Sequence, residues 1–189
     1  MSDLFLLRTD GNQQIGRGHL LRCLALAQEI EKQGGKSILA IKYRSPDVEQ
    51  LLQSRKVSYL RIPEQCALQE EVELLRGELK MIGKTGVRAV VLDVSHNYTL
   101  LQAQDLAGYS HLFHAITPCL ALIDGLRKHA LAVLPGLELD LVISPYVGSF
   151  PKDLPGFPPE RMLYGSEYFV FQEQYQSLAK ETRTIIDQA

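Results

Sequence analysis

The sequence predicts an α/β domain built on a doubly wound, mainly parallel sheet. Three observations lead there. Short apolar runs alternate along the chain with stretches of helical periodicity, the pattern of repeated βαβ units. One of those runs, Ala89-Val90-Val91-Leu92-Asp93, is continuously apolar up to its last residue, as a strand buried on both faces must be. The first run, Leu4-Phe5-Leu6-Leu7, passes through a polar turn that delivers two glycines and a histidine to the start of a long helix. In a parallel sheet, such a strand-to-helix turn aims backbone N–H groups and the positive helix end over the carboxyl edge.

The elements follow in order. After a strand over 4–8, residues 19–33 form a helix stopped by Gly34-Gly35. Leu20, Leu21, Cys23, Leu24, Ala25, Leu26, Ala27 and Ile30 surround it almost completely, so it should be buried on more than one side. Ser37–Ile41 is a second strand, and Pro46 opens a short helix reaching Ser54. Val57–Ile62 is a third strand. Glu70–Met81 is an amphipathic crossover helix carrying Val72, Leu75 and Leu79, and the strand Ala89–Asp93 follows it. A short helix over 99–107 precedes a strand Cys119–Asp124, which like Ala89–Asp93 ends on a carboxylate, and a last strand covers Asp140–Ile143. The segment 145–160 is irregular, with Pro145, Pro151, Pro155, Pro158 and Pro159, and a final helix spans about 172–187.

Composition narrows the function classes. The 189 residues, 46% hydrophobic, suit one domain over 1–189. Twenty basic against 22 acidic residues, a net charge of -2, give no electrostatic argument for nucleic acid or an anionic membrane as partner. Cys23, Cys66 and Cys119 form no CxxC pair, which argues against a disulfide framework or zinc site and fits a reducing compartment. With no apolar run of membrane-spanning length and no basic stretch leading into one at the N-terminus, the expected location is cytoplasmic.

Chemistry is expected at the turn Gly16-Arg17-Gly18-His19. It lacks the third glycine of a dinucleotide fingerprint, and Ile41-Lys42-Tyr43 supplies no carboxylate for a ribose. No Gly-Lys-Ser/Thr follows, which removes a Walker loop. What remains is a turn whose glycines let a ligand approach closely, with His19 as a candidate general base and Arg22 one turn later on the same side. Arg22 either contacts substrate or pairs with Asp10 or Asp93 to hold the turn. His96 and Asn97 either line the same cleft or belong to a solvated loop. His111, His114 and His129 have no metal-ligand spacing, so neither a metal nor a cofactor is expected. Cys23 reads as a small core residue. Phe169, Phe171 and Tyr175, around the final helix, either dock on the sheet or form a domain or subunit contact.

Arg8-Thr9-Asp10, followed by Ile15-Gly16-Arg17-Gly18-His19-Leu20-Leu21-Arg22-Cys23-Leu24-Ala25-Leu26-Ala27, resembles the opening of the UDP-2,4-diacetamido-2,4,6-trideoxy-β-L-altropyranose hydrolases of pseudaminic acid biosynthesis. Their pattern is R-x-D, then I-G-x-G-H-x-x-R-C-L-x-L-A. The stretch from Leu163 to Tyr175 is similar to the L-L-G-x-x-Y-A-L-L-R-x-E-F segment near the junction of that family's halves. The resemblance implies a Rossmann-like domain, the N-terminal half of a glycosyltransferase B architecture, and hydrolysis that removes UDP from an activated amino sugar.

It also implies roles. His19 would activate the attacking water, while Gly16, Arg17, Gly18 and Arg22, with Asp10 and Asp93, would face the substrate. UDP leaves as a stable anion, so a base is needed and an acid is not obligatory. The family's D-x-Y matches as Asp93-Val94-Ser95, which leaves Tyr98 in the following turn to replace the tyrosine. Because a family member would begin its second domain near Ala189, the nucleotide site is expected on a partner domain or subunit. Alternatives from other classes are a non-catalytic sugar-nucleotide-binding or scaffold protein, and the acceptor-side half of a split glycosyltransferase.

Overall fold

A computed structural model describes residues 3–82, 86–94, 103–123, 136, 138–145 and 157–170. Among the described residues, seven strands are interspersed with four α-helices: β1 (Leu4–Gly11), α1 (Gly18–Lys32), β2 (Lys36–Arg44), α2 (Pro46–Ser54), β3 (Tyr59–Arg61), α3 (Leu68–Met81), β4 (Ala89–Asp93), α4 (Ala103–His114), β5 (Leu120–Ile123), β6 (Leu141–Ser144) and β7 (Met162–Tyr164). They form one sheet in the order β3-β2-β1-β4-β5-β6-β7, and every neighbouring pair is parallel. This is a Rossmann-like, doubly wound α/β fold.

The period-two alternation of side chains sorts each strand between two cores. Leu7, Leu39, Ile41, Val91, Ala121 and Ile123 meet Leu20, Cys23, Leu24 and Ala27 of α1 and Val48 and Leu52 of α2. The opposite face places Leu6, Ala40, Val90, Leu92 and Leu122 against Val72, Leu75 and Leu79 of α3 and Phe113 of α4. Each buried Leu or Val contributes roughly 1.5–3 kcal/mol by leaving water. Helices on both faces therefore leave the central strands no polar side, which is why they read as unbroken apolar runs.

Local signals fix the helix ends. Pro46 occupies the first turn of α2, where its missing N–H costs nothing. At the start of α3, Glu70 Oε2 accepts a hydrogen bond from the Ala67 amide at 2.9 Å. Gly34 takes φ +82° after α1, and the Gly35 amide returns to the Ile30 carbonyl at 2.9 Å. A Cβ on Gly35 would stand 2.8 Å from Ile30 Cγ2, so the stop signal also permits close packing.

Three expectations need correction. The third strand is shorter than 57–62, spanning Tyr59–Arg61. Of the helix expected over 99–107, residues 99–102 lie outside the described residues, and the described helix Ala103–His114 continues past 107 through Gly108. Gly108 lies exposed inside the helix, while Phe113 in its last turn is fully buried, so apolar burial beyond the glycine overrides its poor propensity. The edge strand β7 was not anticipated: three residues framed by a proline-rich segment and Gly165 show no measurable periodicity. Residues 146–156 of the proline-rich segment and the final helix expected at 172–187 lie outside the described residues.

Candidate functional site

The sheet order reverses between β1 and β4, since β2 and β3 lie to one side of β1 and β4 to β7 to the other. The crevice outside the carboxyl ends of these two strands is where open α/β sheets bind ligands. Thr9 of β1 lies opposite Asp93 of β4 in the register. The turn after β1 carries α1 across this point, and residues 19, 22 and 23, three and four apart, share the helix face turned toward it.

That face converges on Asp93, whose side chain is fully buried. Arg22 grips it with a fork, Nε donating to Oδ2 at 2.6 Å and Nη2 to Oδ1 at 2.6 Å. His19 Nδ1 lies 2.8 Å from Oδ1. A carboxylate can only accept, so this contact is a hydrogen bond when Nδ1 carries the hydrogen, an arrangement that in the neutral ring leaves the lone pair on Nε2. Arg22 Nη2, 3.3 Å from Nδ1, can only donate, so that longer contact suits a lone pair on Nδ1, whereas the shorter 2.8 Å approach to the Asp93 carboxylate suits a hydrogen there. With 24% of its side chain exposed, His19 is the member of the group that a ligand can reach.

Cys23 completes the cluster, with Sγ 3.8 Å from Asp93 Oδ2. Burial first, and the Asp93 charge second, push its thiol well above the ordinary range, opposed by the Thr9 hydroxyl and Arg22. It stays a neutral donor, in keeping with its place in the α1 core.

The turn itself is folded inward. Asn12 Oδ1 accepts from the amides of Gln14 at 2.9 Å and Ile15 at 2.8 Å, and the Gly16 amide bonds to the Asn12 carbonyl at 2.8 Å. Three amides that a phosphate loop would offer are thus used internally. Gly16 adopts φ +80°, and a Cβ on Gly16 or Gly18 would meet nothing within 4 Å, so both border open space. Arg17 occupies the N-cap position of α1 without a side-chain cap, and its side chain instead reaches the exposed Asp47 at the start of α2. The Ser45 hydroxyl, helped by Arg17, holds the Asp47 carboxyl below its usual range.

Asp10 sits elsewhere than expected. Its Oδ1 accepts from Arg8 Nη1 at 2.7 Å and from the amides of Lys42 and Tyr43 at 3.0 and 2.9 Å, with no side-chain exposure. It ties β1 to the end of β2. Arg8 Nε donates to Glu71 Oε1 at 2.6 Å, and Lys42 Nζ lies 3.5 Å from Glu71 Oε2 and donates to the Cys66 carbonyl at 2.5 Å. The sequence reading missed Glu71 and Lys42. Glu71 falls on the Leu68–Leu75 stripe of α3, and this position among apolar residues was the available signal.

Tyr98, His96 and Asn97 lie outside the described residues. Among the described residues, no group of three or more His, Cys, Asp or Glu could hold a metal ion, and no helix is long and apolar enough to cross a membrane. A hollow of about 490 Å³ opens at the opposite end of α1, between Phe5, Leu26, Ile30 and Gly35. It has no geometric relation to the His19 cluster, and the chemistry of the side chains, rather than size, selects the crevice.

Comparison with known proteins returns little. No family model matches the chain. No curated protein matches it. Among solved structures, the chain is similar to a short-chain dehydrogenase from Streptomyces avermitilis at 15% identity and TM-score 0.44, with 99% of this chain and 78% of that one covered. The fold assignment accordingly rests on the sheet described above.

These results overturn the resemblance to the UDP-2,4-diacetamido-2,4,6-trideoxy-β-L-altropyranose hydrolases, which no family model or curated protein sustains. Much of the matching pattern has a structural explanation in this chain. Arg8 and Asp10 belong to the buried ion network, and Cys23, Leu24, Ala25 and Ala27 form the buried side of α1.

Proposed function

We propose that the chain is a hydrolase acting on a nucleotide-activated sugar, with His19 as general base. The observation that carries this reading is the 2.8 Å contact of His19 Nδ1 with the buried Asp93 at the switch point, which in the neutral ring reserves Nε2 for accepting a proton. In the reaction, His19 Nε2 takes a proton from water as its oxygen attacks the anomeric carbon. The bond from that carbon to the phosphate oxygen breaks, and the nucleoside diphosphate departs as an anion needing no protein acid. The N-terminus of α1, with no acidic residue in its first turn, suits the phosphates. The end of β2 carries Lys42, Tyr43 and Arg44 with no carboxylate for a ribose, which supports a nucleotide grip supplied by a partner domain or subunit. Three free thiols support work in the cytoplasm.

The test is release of UDP from a panel of UDP-sugars by the purified chain, alone and with candidate partner domains. His19→Gln should lower the rate by about 10²–10⁴-fold while leaving the melting temperature unchanged. A folded His19→Gln variant with wild-type turnover would remove the base, and strong turnover by the isolated chain would remove the need for a partner.

A second reading, sugar-nucleotide binding without turnover, is favoured by the inward-folded turn. With the amides of Gln14, Ile15 and Gly16 bonded to Asn12, fewer donors face a transferring group. Saturable UDP-sugar binding with no product under every partner condition would select it.

A further inference from the structure

We infer that Arg22 is a positioning residue that acts on His19 through Asp93, and not a contact for the substrate. The inference deepens the proposed role of His19 and rests on that reading for its catalytic meaning. Its physical content concerns one proton on one ring.

The fork of Arg22 spans both carboxylate oxygens at 2.6 Å each. Two parallel bonds fix the plane of the carboxylate as well as its location, which a single donor cannot do. In that plane Oδ1 keeps a lone pair directed at His19 Nδ1, 2.8 Å away. Asp93 ends a strand whose main chain is locked between β1 and β5, so its carboxylate has only side-chain torsions to lose. Arg22 removes them. The same helix supplies both partners, three residues apart, so the geometry between fork and ring is set by the rise of α1.

The consequence is a single neutral tautomer of His19, with hydrogen on Nδ1 and the lone pair on Nε2. Without the fork, the buried carboxylate turns and Nε2–H competes, leaving part of the population unable to accept a proton from the crevice. Two of the three guanidinium nitrogens, Nε and Nη2, are committed to Asp93, and the Arg22 side chain is only 13% exposed, which argues against a role as the main phosphate contact.

The experiment needs no substrate. In uniformly ¹⁵N-labelled full chain above the histidine titration range, long-range ¹H–¹⁵N correlation spectra report which ring nitrogen carries hydrogen, and His19→Gln identifies the His19 signals among the five histidines. The expected result is one Nδ1–H tautomer for His19 in the wild type and a mixture, or the Nε2–H form, in Arg22→Gln. Arg22→Lys, which keeps the charge and loses the fork, should also give a mixture, and it carries the test if Arg22→Gln does not fold. A wild-type His19 in the Nε2–H form would overturn the inference, as would a folded Arg22 variant with the wild-type tautomer. Because the readout is spectroscopic, a chain that hydrolyses no nucleotide sugar leaves this result standing, and a wrong tautomer leaves the hydrolysis assay to be judged separately.

Discussion

Arg8 and Glu71, 63 residues apart in sequence, meet at 2.6 Å with neither side chain exposed to solvent. The pair joins β1 to α3 across the interior, and with Asp10 and Lys42 it balances two buried cations against two buried carboxylates. Removing one member of a buried ion network leaves its partner charged and uncompensated. Glu71→Ala should therefore destabilise the fold by about 3–5 kcal/mol in urea titrations. A loss below 1 kcal/mol would show that water or a rearranged Asp10 replaces the carboxylate.

The two glycines of the turn should separate cleanly. Gly16 holds φ +80°, a region costing an ordinary L-residue roughly 1–2 kcal/mol, whereas Gly18 is the first residue of α1 with negative φ and open space around it. Gly16→Ala should lower stability by about that amount, and Gly18→Ala should be neutral or stabilising by a few tenths of a kcal/mol to about 1 kcal/mol. Equal melting temperatures for the two variants would mean that the turn relaxes at little cost.

The fold was largely legible because its central strands are buried on both faces and announce themselves as apolar runs, Ala89–Asp93 above all. His19, Arg22 and Asp93 were each legible as candidates, but not as a cluster. Their convergence depends on β1 and β4 being neighbours, a long-range pairing that no local pattern encodes. Asp10 was misplaced for the same reason: in sequence it adjoins the turn, while strand alternation directs it to the opposite face, toward Arg8 and the end of β2. Gly108 hid the real extent of α4, because the burial of Phe113 that rescues the helix is a tertiary effect. The motif from Arg8 to Ala27 invited a family assignment, although several of its positions answer to packing and the buried ion network.

Cys23 links the site to stability at alkaline pH. Its thiol is fully buried and raised by desolvation and then by Asp93, so the folded chain holds this proton at pH values where the unfolded chain, with an ordinary thiol near about 8.5, releases it. The sign follows from linkage: below that value both states keep the proton and the stability contribution is complete. As pH rises through the window up to the raised folded value, the unfolded state sheds protons and stability falls, by at most about 1.4 kcal/mol per pH unit for one group. Cys66 and Cys119 are also raised by burial, but both are partly exposed and have less to lose. Cys23→Ala should lower stability at neutral pH through the small void it leaves, yet flatten the decline above pH about 8.5. The comparison is therefore one of slopes, taken from urea unfolding of the two proteins at several alkaline pH values. Parallel curves would show that Cys23 is not the group responsible, and that the alkaline loss belongs to the other titrating residues.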